Sequence, residues 1–390
     1  MALAASSGEP VLLLQRERAL RPDLLLILPY LALSGLGIVM IYSASAPRLE
    51  ALGQDPASVM RDQAIFVAIG VVVFIASSLL DHRTLHLLAP AAYLVSLLSL
   101  VVVLFAPERA GTHRWIQIGP LTIQPSEFAK VAVILALAAL LASAIDRTLR
   151  WDHIARAVAI VGVPAALIFK QPDLGTMLVF GFIAVVMLFV GGTTWRQLTA
   201  LVLAATVGAV GLFQVGWIEE FQLTRLTAFL DPAAHSAQTA LYNQLQSEIA
   251  IGSGGFLGKG LFGGTQTNLS FVPQQATDFI FTAVGEQLGF VGATIVLGLF
   301  AVIVWRLLVA AANGRDRFSQ LVAVGVAAMM VFHIFINVAM TMRWMPVTGL
   351  PLPFLSAGGT VYISMSLALG LAHSVWMRRS PVPGEHQLGR

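Results

Sequence analysis

Hydrophobic positions along this chain fall in long unbroken runs, and polar positions collect in the gaps between them. Apolar runs close to the ~20 residues that cross a bilayer predict membrane-spanning helices. Ten such runs are legible, at about 23–44, 62–80, 84–105, 126–145, 153–170, 174–191, 196–216, 278–305, 318–342 and 358–377. Only helices and closed barrels satisfy their backbone inside lipid, and these runs show no dyad alternation. The expected fold class is therefore an all-α integral membrane protein, a polytopic bundle of about ten transmembrane helices with a long extracytoplasmic loop before helix 8. Residues 23–377 read as one transmembrane domain between short cytoplasmic tails, 1–22 and 378–390. The first run follows Arg16, Arg18 and Arg21 without an obvious small-residue cleavage site, which predicts a retained anchor.

Basic residues set the expected orientation. With the N-terminus inside, cytoplasmic segments hold Arg83, Arg147, Arg150, Arg156, Arg196, Arg306, Arg315, Arg317, Arg378, Arg379 and Arg390 besides the first cluster. The opposite side holds Arg48, Arg61, Arg109, Arg114, Lys170, Arg225, Lys259 and Arg343, spread over longer loops. This satisfies the positive-inside rule, and an even number of spans places both termini in the cytoplasm.

Three outer segments break the apolar pattern. In Thr112-His-Arg-Trp-Ile-Gln-Ile-Gly-Pro-Leu-Thr-Ile-Gln124, Ile116/Ile118 and Leu121/Ile123 alternate with polar residues around Gly119-Pro120, predicting a short hairpin. Pro125 suits the first position of the next helix. The loop 217–277 carries Asp231-Pro232, a polar run from His235, and the glycine-rich stretch Gly252 to Gln266. Within it, 242–251 predicts a short amphipathic helix on the membrane surface. Arg343 to Gly359 contains three prolines and interrupts the helices on either side. Non-helical backbone at membrane depth persists where protein buries it or where it lines a wet cavity, so this segment is expected to re-enter and wall a site.

Composition agrees: 57% hydrophobic, 11% charged, mean hydropathy +0.82, far from the soluble balance. A net charge of +3 gives no argument for nucleic acid, and the absence of cysteine excludes disulfides and thiolate metal sites. Against this apolar background each ionisable group in or beside a span needs a reason. On the outer side these are Glu127 and Lys130 in span 4, Asp173 before span 6, and Asp278 and Glu286 in span 8, with Arg114, Lys170, Lys259 and Arg343 in loops. The mixture suits a cavity handling phosphates, with cations for the oxygens and carboxylates for a metal or a proton. Plainer readings stand beside each: Asp278 as a helix N-terminal acid with Thr277 capping, Glu127/Lys130 as an i,i+3 ion pair, Asp173 as a turn or N-cap, Arg114/Trp115 as an interfacial pair, and Glu286 and His333 as buried hydrogen-bonding groups. No phosphate-binding glycine loop, zinc helix or serine elbow is present.

Five motifs then occur in order: Gln124-Pro-Ser-Glu-Phe-Ala-Lys130, Gln171-Pro-Asp-Leu-Gly-Thr176, Gly252-Ser-Gly-Gly-Phe-Leu-Gly-Lys-Gly260, Thr277-Asp-Phe-Ile-Phe281 and Pro351-Leu-Pro-Phe-Leu-Ser-Ala-Gly-Gly359. Together they resemble the SEDS family (shape, elongation, division and sporulation), and Gly264-Thr-Gln266 resembles its RodA branch more than its FtsW branch. The resemblance implies a peptidoglycan glycosyltransferase that polymerises lipid II, partnered by a class B penicillin-binding protein, and serving elongation rather than division. It implies that Asp278 matches the essential aspartate, and that Lys130, Glu127 and Asp173 line the same extracytoplasmic cavity. The chain departs from the pattern at Gln274-Gln275-Ala276, where many relatives carry a Glu and a His.

On this resemblance Asp278 is expected to act as general base on the acceptor hydroxyl. Arg114, Glu127, Lys130, Asp173, Thr277 and Ser356 are expected to contact substrate. A Mg²⁺ or Mn²⁺ ion held by carboxylates, with Asp278, Asp173 and Glu127 as candidates, would help stabilise the departing pyrophosphate; no organic cofactor is implied. The competing expectations are a lipid II flippase, which predicts charges deep in several spans, and a scaffold of the wall-synthesis complex without activity.

Overall fold

A computed structural model describes residues 21–108, 112–119, 121–144, 148–216, 229 and 239–379. Arg16, Arg18, Arg109, Arg147, Arg225, Asp231, Pro232, His235 and Arg390 lie outside the described residues. The helices are α1 (Leu24–Ala51), α2 (Ser58–Leu79), α3 (His82–Val103), α4 (Pro125–Ala142), α5 (Trp151–Phe169), α6 (Leu174–Val190), α7 (Trp195–Gln214), α8 (Thr239–Gly254), the short α9 (Thr265–Asn268), α10 (Ile280–Ala312), α11 (Arg317–Thr341) and α12 (Gly359–Met377). Among the described residues, nine of these are long and apolar enough to cross a membrane. The tenth expected span, α6, has 17 residues. At 1.5 Å per residue it is only about 25 Å long, short of a ~30 Å hydrocarbon core.

Burial sorts the bundle into a centre and a rim. The most apolar windows of α4, α11 and α12 are 78%, 72% and 72% buried, whereas that of α7 is 6% buried. Beyond Ser126, Glu127 and Lys130 in its first turns, helix α4 is apolar all round, with buried Ala129, Val131, Val133, Ile134, Leu137 and Leu141 facing several neighbours at once, as a central helix requires. Small residues let α12 and α2 touch: a Cβ on Gly370 would lie 2.5 Å from the Phe74 carbonyl oxygen. A buried ion pair closes one end of the bundle, Arg306 Nε donating to Asp23 Oδ2 at 2.7 Å. The Asp23 backbone N–H donates to His373 Nε2 at 3.0 Å, and the Arg306 guanidinium lies 4.2 Å from the Trp376 ring centroid. These contacts join the start of α1 to α10 and α12.

The outer hairpin forms as its alternation predicts. Strand β1 (Ile116–Ile118) pairs antiparallel with β2 (Leu121–Ile123) in the register Ile116↔Ile123, and Pro125 occupies the first turn of α4. Residues 343–358 carry no helix and pack inside the bundle, with Leu350, Leu352, Phe354 and Leu355 buried. The Phe354 carbonyl fits against α1 where a Cβ on Gly37 would come within 2.5 Å.

One expectation is extended and one corrected. The segment 242–251 is helical and belongs to the longer α8, which docks one face on protein: Leu241, Gln244, Ser247 and Ala250 are buried along it. Gln244 Nε2 donates to the carbonyls of Met340 (3.0 Å) and Met345 (2.8 Å), and Ser247 Oγ donates to Thr341 O at 2.8 Å. Helix α8 thereby satisfies carbonyls that the end of α11 would otherwise leave open. Span 8 is not one continuous helix either. Gly289 (φ +65°, ψ −165°) divides α10 into 280–288 and 290–312. The glycine-rich strand of loop crosses at the break and takes over its backbone hydrogen bonds. Lys259 N donates to Glu286 O and Gly260 N to Gln287 O, both at 3.0 Å, while Phe290 N donates to Gly255 O at 2.9 Å. Only glycine fits there, because a Cβ on Gly289 would collide with the Gly258 nitrogen.

Candidate functional site

The seam that carries Asp278 is a turn, and its helix begins later than the hydropathy suggests. Gln274 sits in the left-handed region (φ +58°), so its carbonyl accepts from the N–H groups of Thr277 (3.2 Å), Asp278 (3.1 Å) and Phe279 (3.3 Å). Thr277 does not cap α10, because its Oγ1 donates to Gln274 O at 3.1 Å; the N-cap position is Phe279, without a side-chain cap bond. Asp278 is half-buried. Its carboxylate stands beside the positive-φ glycine of the inner loop, 3.6 Å from where a Gly349 Cβ would be. Asn337, on α11, fixes both sides of this contact: its Nδ2 donates to Asp278 O at 2.9 Å and to Leu350 O at 2.8 Å.

The segment 348–350 also meets the start of α6, since a Cβ on Gly175 would lie 2.7 Å from Thr348 O. Asp173 caps that helix, Oδ1 accepting from Thr176 N (3.1 Å) and Oδ2 from Thr176 Oγ1 (3.0 Å), with Gln124 Nε2 at 3.4 Å. Arg114 reaches across from the hairpin to hold the same turn, Nε donating to Gln171 O at 2.6 Å and Nη2 to Pro172 O. Asp173 and Asp278 thus flank one stretch of inner loop, and Arg114 is more than an interfacial partner of Trp115.

Glu127 and Lys130 form a second group, entirely inside protein. Lys130 Nζ lies 2.8 Å from Glu127 Oε2 and 3.0 Å from His333 Nε2, and Lys130 is 0% exposed. The His333 Nδ1–H donates to Met329 O at 2.9 Å, which leaves Nε2 to accept the ammonium proton of Lys130. Ser364 Oγ donates to Glu127 Oε2 at 3.3 Å. The two groups connect through Gln124, whose carbonyl accepts from Glu127 N at 3.2 Å and whose side chain contacts Asp173.

Other expected contacts are engaged in building the loops. Ser356 is buried, and its Oγ accepts from Leu352 N at 2.9 Å to close the proline-rich turn. Glu286 is fully buried and is the focus of hydrogen bonds from Lys259, Thr265, Gln266 and Thr267. Among the described residues no three His, Cys, Asp or Glu side chains gather into a metal-binding group, so Asp278, Asp173 and Glu127 do not form one centre. Their oxygens on Asp173 and Glu127 already accept from Thr176 and Lys130, and the chain's own donors do not make a cage for Mg²⁺ or Mn²⁺. Asn337 was passed over in the sequence, although an amide isolated in the apolar run Phe335-Ile-Asn-Val-Ala339 is the kind of costly polar group that signals a task.

The FtsW/RodA/SpoVE family model, described as a cell cycle protein, matches residues 23–380. The chain belongs to this family. Its similarity to the peptidoglycan glycosyltransferase MrdB of Escherichia coli K12 is 34% identity over 363 residues, covering 92% of this chain and 94% of that one. Among solved structures, a chain from a peptidoglycan synthase complex that coordinates polymerization and crosslinking superposes with a TM-score of 0.76 at 29% identity, covering 91% of this chain and 98% of that one. The rod shape determining protein RodA of Thermus thermophilus superposes at 0.67 with 30% identity, covering 93% and 99%. The all-α, multi-pass membrane architecture of this chain is that of the FtsW/RodA/SpoVE family.

Proposed function

We propose that this chain is a peptidoglycan glycosyltransferase that joins lipid II units into β-1,4-linked glycan, with Asp278 as general base. The observation that carries the reading is the half-buried Asp278 carboxylate held beside the inner loop by the Asn337 amide. Lipid II presents a disaccharide α-linked to a polyprenyl diphosphate. The acceptor 4-oxygen bonds to the anomeric carbon, the bond from that carbon to the phosphate oxygen breaks, and the electron pair leaves with the diphosphate. One inversion yields the β linkage, and the hydroxyl proton passes to Asp278. General-base assistance of this kind contributes about two to four decades in rate.

Arg114 and Lys130 supply positive charge for the leaving diphosphate. Lys130 does so by exchanging Glu127 or His333 for a phosphate oxygen, since both partners already lie within 3.0 Å. Asp173 shapes the turn against which the substrate lies, and Thr277 and Ser356 each brace their own turn, at Gln274 and Leu352 respectively. We place the protein in a bacterial plasma membrane, with both termini cytoplasmic and the site outside, on the distribution of its arginines. A class B penicillin-binding protein is the partner we propose, and elongation the process, on the Gly264-Thr-Gln266 motif.

The test is the purified full chain incubated with fluorescent lipid II, with and without muramidase digestion. Muramidase-sensitive chains that disappear in Asp278→Asn, while folding and membrane insertion persist, support the reading. Near-wild-type polymer from Asp278→Asn would refute the base assignment. Transfer of lipid II across vesicles without polymer would refute the activity itself in favour of a flippase.

A further inference from the structure

Glu286 has no part in the chemistry above, yet the protein spends an unusual number of donors on it. It is fully buried in the first half of α10. Its Oε1 accepts from Lys259 Nζ at 2.9 Å, Thr265 Oγ1 at 3.3 Å and Gln266 N at 2.8 Å, and its Oε2 from Thr267 N at 2.9 Å and Thr267 Oγ1 at 2.7 Å. An ionised carboxylate is acceptor-only, so the Thr267 hydroxyl must point its proton at Glu286. Its lone pairs then face the other way, where they accept from Gln275 Nε2 at 2.9 Å. Gln275 and Thr267 are both buried, so no solvent competes for either group.

Gln275 is three residues before Asp278, inside the turn that presents it. That turn has two further tethers, the Ala357 N–H donating to Ala276 O at 2.8 Å and the Asn337 amide on Asp278 O. Each arrives from a different element: Asn337 from α11, Ala357 from the inner loop, and Thr267 from α9. These bonds reach the turn from three directions, so loss of one loosens its placement against the other two. The polarity of the relay is also fixed. Neither a hydroxyl without Glu286 nor a carboxylate in place of the Gln275 amide would reproduce the donor order.

We propose that Glu286, Thr267 and Gln275 form a positioning relay that sets the Asp278 turn for reaction. The inference rests on the reading of Asp278 as the base. Variants Thr267→Val and Gln275→Leu each remove one link while keeping the side chain's approximate volume, and Thr267→Ser keeps the hydroxyl. Hydrogen–deuterium exchange of the 277–279 amides reads the turn directly, and lipid II polymerisation reads kcat and KM.

The expected result is exchange roughly threefold to tenfold faster in both variants, as loss of one hydrogen bond predicts. Turnover should fall by up to roughly 100-fold with KM nearly unchanged, as expected for a misplaced reacting group. Thr267→Ser should restore both, and the double variant should be no worse than the more severe single one, because the links act in series. Unchanged exchange at 277–279 in both single variants would overturn the relay, and so would additive losses in the double variant. Faster exchange with unchanged turnover would overturn its part in the reaction. Failure of the base assignment shows separately, as polymer made by Asp278→Asn.

Discussion

Replacing Asn337 separates the amide's two tasks from simple space-filling. Its Nδ2 bonds two carbonyls, Asp278 O at 2.9 Å and Leu350 O at 2.8 Å, and its side chain is 0% exposed. Both partners are acceptors only, so the nitrogen must face them whatever the rest of the pocket does. Each hydrogen bond contributes about 0.5–1.5 kcal/mol net, nearer ~0.6 kcal/mol by the averages measured within membrane proteins, which gives about 1–2 kcal/mol for the pair. Asn337→Leu should therefore cost about 1–2 kcal/mol of stability and release the Asp278 turn from the inner loop. Asn337→Asp is the sharper probe, because it is nearly isosteric yet replaces the donor with a carboxylate oxygen aimed at two carbonyls. Its cost should exceed that of leucine, because a buried charge then meets only acceptors. The assay is polymerisation of fluorescent lipid II per folded molecule, with monodispersity and thermal unfolding in detergent as controls. Turnover below about one-tenth of wild type is expected for both variants, on the sensitivity of reaction rate to ~1 Å displacements. Asn337→Asp with turnover within twofold of wild type would refute the claim that the amide donor holds the base in place.

Three further outcomes follow from the same geometry. Lys130→Met should lose polymerisation and destabilise the bundle by about 3–5 kcal/mol by stranding the buried Glu127 carboxylate; Lys130→Met/Glu127→Gln should recover thermal stability without polymer. Gly289→Ala should lower the yield of folded, protease-resistant protein, because its Cβ would displace the loop that satisfies the break in α10. Arg306→Met should cost about 3–5 kcal/mol by leaving Asp23 unpaired, while Asp23→Asn/Arg306→Met recovers most of it; both should retain normal turnover per folded molecule, because the pair lies at the opposite end of α10 from Asp278.

Polar groups in a chain of this kind report two different things. Whether a group is unusual depends on the residues around it, and the apolar runs exposed Asp278, Glu127, Lys130 and Asp173 without any structure. What the group does depends on the helix face it meets. Lys130 and His333 are 203 residues apart in sequence and touch only because α4 and α11 cross at that level. Sequence distance likewise concealed the partnership of Asn337 with the Asp278 turn, and of Arg114 with the turn at Gln171 and Pro172. Read alone, Lys130 is a cation near the mouth of a span; only the fold shows that it rests between Glu127 and His333.

The order of the apolar helices, the outer hairpin and the helix start at Pro125 were determined by sequence. Transfer of each residue into hydrocarbon, the alternation of a short ribbon and the fixed φ of proline are local properties. The break at Gly289, the docking of α8 and the relay through Glu286 were decided only by tertiary structure. Each depends on backbone or side-chain hydrogen bonds between segments distant along the chain. A hydropathy profile sums the cost of placing residues in lipid, but it carries no information about which buried donor will find which acceptor.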